Sequence, residues 1–212
     1  MTGPVLVGGY RHGRVPRAVR EEQLQTVALQ LFAERGYQAT SIEDIRLAAG
    51  VSRPVFYDHF RSKDDVYLAC LRRAREQLDA SIDAAVDERD DPGRQLWLGI
   101  NAYLRFVEGN ATAWQVVFGG GAAVVGPAAE EARRMRFATV DRIAALMQRG
   151  SPDVEPRLLE ACAHALSGAG EQLAKWWLNT PGVELEEVAR IQMALAWLGL
   201  ERLTRDVRAQ GR

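Results

Sequence analysis

Apolar residues recur along this chain with the period of an α-helix. Leu24, Val27, Ala28, Leu31 and Phe32 fall at i, i+3, i+4, i+7 and i+8, one face of an amphipathic helix, and Gly36 follows as a stop. Ile42, Ile45 and Leu47 to Ala49 supply the inward face of a short second helix. Gly50 ends it by allowing a left-handed backbone. Val51, Val55, Phe56 and Phe60 give a third helix its apolar side and leave Ser52, Arg53, Tyr57 and His59 on the other. Three helices therefore share one small core. Beyond residue 65 the pattern stays helical: Val66, Leu68 to Leu71, Leu78, Ile82 and Val86 continue a long helix, from Ser62 to about Glu88. Further helices are expected at about 93 to 109, 111 to 118, 128 to 149, 156 to 179 and 185 to 209. The breaks are Gly119 to Gly121 with Gly126-Pro127, Gly150-Ser151-Pro152, and Thr180-Pro181-Gly182. Strand-like alternation and internal repeats are absent.

The short helices carry their own start signals. Thr40 and Ser41 offer hydroxyls to the free N–H groups of a first turn, and Glu43 and Asp44 lie three residues beyond them, so a capping box can form. Ser62 with Asp65 repeats the device. Ser52 followed by Pro54 marks the other start, because proline is tolerated where a helix has no N–H to lose. Two short helices joined by Ala48-Ala49-Gly50 form a helix-turn-helix. The second helix, with its polar side free, fits a B-DNA major groove and would offer its first residues to base edges.

At this point the run from Leu24 to Tyr67, and above all VSRPVFYDHFRSKDDVY, resembles the DNA-binding domain of the tetracycline-repressor (TetR) family of bacterial regulators. The resemblance covers roughly the first third of the chain, and Tyr57-x-His59-Phe60-x-x-Lys63 is its specific signal. It implies that Ser52, Tyr57, His59 and Lys63 contact phosphates while Arg53, Pro54 and Val55 read bases. Thr40 and Ser41 complete the candidate DNA-contacting set. Position 54 departs from the family pattern, in which a glycine or other small residue is common, and the proline narrows which base edges the helix can approach.

Composition agrees. The chain of 212 residues is 47% hydrophobic, enough for a small domain and a larger one. Its formal net charge is −1, so the total does not advertise DNA binding, but the distribution does. Residues 1 to 20 hold Arg11, Arg14, Arg17 and Arg20 and no Asp or Glu, a basic stretch ahead of the first helix. Such an arm can neutralise phosphates or enter a minor groove; an unstructured tail with solubilising charge is the other reading. The expected organisation is all-α: a flexible basic arm (1–16), a three-helix DNA-binding domain (17–65), and a larger helical ligand-binding and dimerisation domain (66–212).

All five tryptophans lie in that second part: Trp97, Trp114, Trp176, Trp177 and Trp197. Aromatics at helical spacing fill cores, and they also line pockets for apolar ligands. In a TetR-like chain this is the inducer-binding part. The candidate ligand-contacting set is Trp97, Tyr103, Phe106, Trp114, Phe118, Met135, Phe137, His164 and Trp176, with the three-glycine loop as a mobile edge of the pocket. A bulky apolar small molecule is the expected ligand, and the long helix from Ser62 would carry its effect to the DNA-binding unit.

Two further stripes point to self-association. Leu158, Cys162, Ala165, Ala169, Leu173 and Trp176 make one, with Ala161, Gly168 and Ala174 keeping neighbouring backbone close; Leu185, Val188, Ile191, Leu195 and Leu198 make the other. Two such helices suit a four-helix bundle with a second copy, which the resemblance implies is the dimer interface. Both stripes could instead serve the chain's own core.

Other classes fare poorly. Only three histidines occur, and Cys162 and His164 have the wrong spacing for ligands on one helical face. No catalytic triad, paired carboxylate site or dinucleotide fingerprint stands out, so an enzyme, a metal site and a cofactor are not expected. With no apolar run of about 18 residues and no secretory h-region, a cytoplasmic protein away from membranes is expected. Cys70 and Cys162 read as buried free thiols. The expected partners are an operator in double-stranded DNA, a second copy, and a small-molecule inducer. A constitutive or architectural dimeric regulator without inducer is the alternative.

Overall fold

The computed structural model describes residues 15–118 and 127–210, and every regular element among them is an α-helix. In order these are α1 (Arg17–Ala39), α2 (Ile42–Ala48), α3 (Arg53–Tyr57), α4 (Lys63–Ala85), α5 (Pro92–Gly109), α6 (Ala111–Phe118), α7 (Pro127–Gly150), α8 (Pro156–Leu178) and α9 (Leu185–Gln210). The described residues of 1–75 and 112–134 form one compact unit, those of 76–111 and 135–212 another. Arg11, Arg14 and glycines 119 to 121 lie outside the described residues. Arg17 and Arg20, expected ahead of the first helix, are inside α1.

In the first unit, α1 buries the expected stripe of Leu24, Val27, Ala28, Leu31 and Phe32, and one polar residue beside it, Gln23. At Gly36 the backbone leaves the helical region (φ 79°, ψ 165°), a conformation open to a residue without Cβ, before a last short turn ends at Thr40. Ile45 of α2, Phe56 of α3 and Val66 of α4 are fully enclosed. Removing side chains of this size from water stabilises by about 1.5–3 kcal/mol each, so a five-residue helix such as α3, too short to stand alone, is held by its neighbours. Tyr67 of α4 meets Phe32 edge-on at 5.2 Å and Tyr37 at 5.0 Å. Leu47 was expected to face inward. It is 58% exposed, because it lies about 200° around the helix from Ile45, whose inward partner is Ala49 at i+4.

In the second unit α5 packs on α9 and α8 packs on α9. Leu104 and Val107 of α5, Ala163 and Ala174 of α8, and Val188 and Ala189 of α9 are buried. Two glycines permit close approach: a Cβ on Gly93 would stand 2.9 Å from the Trp197 ring, and one on Gly170 would stand 2.6 Å from Gln192 Nε2. Gly170, not Gly168, therefore does this in α8; among the described residues Gly168 has no neighbour within 4 Å of its missing Cβ. Arg142 of α7 joins Asp83 and lies 3.6 Å from Asp79, both on α4. The turn after α8 is closed by Trp177 Nε1, which donates to the Val183 carbonyl at 2.8 Å.

The phase of α8 differs from expectation. Its buried line is Leu159, Ala163, Leu166, Gly170, Ala174 and Trp177. The expected stripe sits one position round: Leu158, Cys162, Ala169 and Leu173 are half-buried, and Ala165 and Trp176 are exposed. In α9, Val188 is enclosed, while Ile191, Leu195 and Leu198 of the same stripe are exposed, the last two by 64% and 66%.

Candidate nucleic-acid interface

The interface starts with how α2 and α3 are fixed. Ser41 caps α2: its hydroxyl accepts from the Asp44 backbone N–H at 3.1 Å, and the Asp44 carboxylate accepts from the Ser41 N–H at 2.8 Å, a complete capping box. The Ser41 hydroxyl, which also donates to the Asp44 carboxylate, holds that carboxyl below the usual carboxylate range, helped by the Ser41 N–H and Arg35. At the other end the Ala49 N–H bonds the Ile45 carbonyl at 2.9 Å, Gly50 takes φ 64°, and the Val51 N–H returns to Arg46 at 2.9 Å. The chain then enters α3 at Ser52, whose side chain makes no capping bond.

The outer side of α3 carries the residues expected there. Ser52, Arg53 and Pro54 are exposed, Val55 is half-buried, and Tyr57 is exposed. The Arg53 guanidinium lies over the Tyr57 ring, 5.8 Å from its centroid, so a cation and a hydroxyl-bearing ring form one surface feature. Phe56, next to Tyr57, anchors the opposite side and meets the Tyr57 ring edge-on at 5.6 Å.

The remaining candidates are placed differently. Thr40 is enclosed, and its hydroxyl donates to the Leu31 and Gly36 carbonyls at 3.2 and 2.9 Å. It braces the end of α1 and does not present its side chain to an outside partner. Lys63 is half-buried: its ammonium donates to the Tyr37 and Thr40 carbonyls, both at 2.9 Å, and lies 4.2 Å from the Tyr37 ring centroid. Two of its three N–H donors thus cap the carboxyl end of α1, where a cation is favoured. Tyr37 in turn hydrogen-bonds Asp64, and burial together with that carboxylate pushes its phenol well above the ordinary value.

His59 is half-buried, with its Nδ1 enclosed and without a hydrogen-bond partner among the described residues. Desolvation, then the charge of Arg17, holds its imidazolium form at a disadvantage, against the pull of Glu21 and Asp58. That environment favours the neutral ring over the imidazolium.

Pattern reading missed Gln23 and the role of Arg20. Gln23 Nε2 donates to the Ala49 carbonyl at 2.9 Å, and Gln23 Oε1 accepts from Arg20 at 2.6 Å. A polar residue inside the stripe of Leu24, Val27 and Leu31 was the available signal.

The candidate ligand-contacting residues are divided. Trp114 and Phe118 belong to the first unit, and the other seven to the second. Phe106 and Trp114 are buried; Trp97, Tyr103, Phe118 and Met135 are half-buried. Trp114 stacks on Phe118 at 5.9 Å. Phe137, His164 and Trp176, expected to line an interior pocket, are instead at the surface of the chain. For His164 and Trp176 the reason is helical phase, since each sits one residue from the buried line of α8; the Phe137 and His164 rings meet at 5.6 Å. Cys70 is enclosed and its thiol is pushed up to about 12 by burial, and burial also raises the thiol of half-buried Cys162. Among the described residues, no helix is long and apolar enough to cross a membrane, and no His, Cys, Asp and Glu grouping could hold a metal ion.

Comparison with known proteins bears on this arrangement directly. Residues 25–70 match the family model of bacterial regulatory proteins of the tetR family, and residues 92–199 match that of the tetracyclin repressor-like C-terminal domain. The chain is 30% identical over 195 residues to the HTH-type transcriptional activator FasR of Mycolicibacterium smegmatis, covering 91% of this chain and 89% of that protein. A TetR-like transcriptional regulator from Rhodococcus sp. RHA1 superposes with a TM-score of 0.75 at 29% identity, covering 89% of this chain and 99% of the other. AibR, solved in complex with isovaleryl coenzyme A and operator DNA, has the same fold, with a TM-score of 0.70 at 18% identity over 83% of this chain and 97% of its own.

Proposed function

The chain belongs to the TetR family of transcriptional regulators, and from that premise we propose that it is a homodimeric repressor that a bulky apolar small molecule releases from a palindromic operator. The observation that carries the DNA half is the outer side of α3, where Ser52, Arg53, Pro54 and Tyr57 stand exposed on a helix whose other side is locked by Phe56. In this reading Arg53 offers its fork to a guanine edge, Pro54 and Val55 make apolar contact, and Ser52, Tyr57 and His59 hold phosphates. Lys63 adds its remaining N–H to the phosphate set, and Ser41 stands at the edge of it.

The dimer half rests on α8 and α9, which leave Trp176, Ile191, Leu195 and Leu198 outside the chain's own core. An apolar face of this size seeks a partner, and a second copy gives a reader of two-fold operators its second α3. Among the described residues, seven of the nine candidate ligand contacts lie in the same unit as α8 and α9, which supports placing the ligand there. The helices α4 and α7 each supply residues to both units, and α4 is the covalent route that leads from the second unit to α3, by which a ligand would bias DNA binding. Such a ligand acts only through its different affinity for the DNA-competent and released states.

An activator is the second reading, favoured by the likeness to FasR. The experiment that separates these is transcription from the bound promoter in a purified system, with and without short- and long-chain acyl coenzyme A thioesters and aromatic hydrocarbons. Repression by the protein, lifted by one compound that also raises its melting temperature, supports the proposal. Stimulation supports the activator, and repression that no compound lifts supports a regulator without inducer.

A further inference from the structure

Gln23 stands on the inward stripe of α1, only 5% exposed, among side chains that are otherwise apolar. A polar group so placed needs its hydrogen bonds, and both ends of this amide have partners. Nε2 donates to the Ala49 carbonyl at 2.9 Å, 26 residues along the chain, and Oε1 accepts from Arg20 Nη1 at 2.6 Å. Ala49 is the C-cap that follows α2 and opens the turn, and it is itself enclosed. Among the described residues no backbone N–H of the turn answers its carbonyl, so the glutamine supplies the donor. The next residues are Gly50 at φ 64°, Val51, and Ser52 at the start of α3. Holding the Ala49 peptide plane therefore holds the path by which the chain enters α3.

Arg20 and the Ala49 carbonyl together fix which end of the amide points where: a guanidinium only donates and so takes Oε1, and a carbonyl only accepts and so takes Nε2. This arginine, which sequence reading assigned to a basic arm, is thereby tied inside the unit.

We infer that Gln23, oriented by Arg20, is a positioning residue for sequence-selective DNA recognition: it sets α3 through the turn without touching DNA. The inference rests on α3 being the reading helix, as in the proposed function. It requires that removing the amide donor blur selectivity while leaving the phosphate contacts in place.

The test uses the full chain with Gln23→Leu, Gln23→Glu, Arg20→Ala and Arg20→Lys. Glutamate keeps the size and the Arg20 partner but cannot donate to a carbonyl; lysine keeps a donor for Oε1. Affinity is measured for the operator and for a scrambled duplex of equal length over a range of salt, and amide exchange is followed at Gly50 to Arg53. Losing one buried hydrogen bond should lower the operator-to-scrambled ratio about tenfold in both Gln23 variants and in Arg20→Ala. Arg20→Lys should keep the ratio, the salt slope should stay unchanged in all four, and exchange at Gly50 to Arg53 should quicken wherever the ratio falls. Unchanged selectivity and unchanged exchange in Gln23→Glu would overturn the inference, and that variant decides if Gln23→Leu does not fold. A reduced salt slope with intact selectivity in Arg20→Ala would make Arg20 a phosphate contact and refute its orienting role. If the wild type itself shows no operator preference, the regulator reading fails, and the exchange rates alone judge the role of Gln23.

Discussion

Arg53 and Lys63 are both cations on the DNA-binding unit, yet they face opposite demands. Arg53 is exposed, with its guanidinium over Tyr57 on the side of α3 that would meet a base edge. Arg53→Ala should cost about 1–3 kcal/mol on the operator and relax preference at one base pair, read by titration against single-base variants. Equal loss on every duplex would remove it from base reading. Lys63 already bonds two carbonyls at the end of α1. Lys63→Ala should therefore lower the melting temperature of the free protein, by loss of charge-assisted bonds worth about 1.5–3 kcal/mol less the solvation regained, and should reduce the salt slope by about 0.9 if its third donor holds a phosphate. A lowered melting temperature with an unaltered slope would leave it a brace alone. His59 gives a pH signature. Its folded value lies below the ordinary 6.5, so the stability it contributes is present above that value and is lost as pH falls through the folded one. His59→Gln should flatten the melting-temperature difference between about pH 7.5 and 5.5, and an identical difference in both proteins would contradict this. The capping residues Ser41 and Asp44 were legible in the sequence because partners three residues apart are set by the helix itself. Gln23 with Ala49 and Lys63 with Tyr37 were not, since those contacts are 26 residues apart and exist only once α1, α2 and α4 have packed.

The helices themselves follow the apolar period and the Gly and Pro breaks closely, because both signals are local. Expected starts at about 93, 128 and 156 meet observed starts at Pro92, Pro127 and Pro156, each a proline at the first helical position where no N–H is lost. Phase was harder to read. On α8 two neighbouring lines of apolar residues compete, and which one the chain uses for itself depends on α9, whose Gln192 fits against Gly170. On α9 the stripe is in the core at Val188, emerges at Ile191 and is most exposed at Leu195 and Leu198. That leaves Leu195 and Leu198 as the positions where a second copy would be felt first. Leu195→Glu should bury an unpaired carboxylate in the proposed interface and shift a dimer to monomer in light scattering at micromolar concentration, with the helical circular dichroism kept. A dimer that survives the substitution would move the interface away from this face.

At the scale of the whole molecule the formal charge of −1 says little about DNA, and the basic residues near the start are divided between Arg17 and Arg20 inside α1 and Arg11 and Arg14 before it. In the proposed dimer, recognition would depend on geometry: two α3 helices would have to meet two half-sites together, so the spacing set by dimerisation would be as selective as any one side chain. Family membership was legible because the α2-to-α4 stretch is continuous in sequence. The burial of the candidate ligand contacts was less so, since Phe137, His164 and Trp176 are aromatic or polar positions at the surface, which composition cannot distinguish from interior ones. The central claim, a dimer that reads a two-fold operator through α3, is tested most directly by selecting bound duplexes from a random pool with the wild type and with Arg53→Ala at one fixed salt concentration. The account predicts that the wild type enriches an inverted repeat with half-site centres about one helical turn, or a multiple of it, apart, and that Arg53→Ala loses preference at the same base pair in both halves. Enrichment of no sequence, or of a single unrepeated site that Arg53→Ala binds with the same preference, would contradict it.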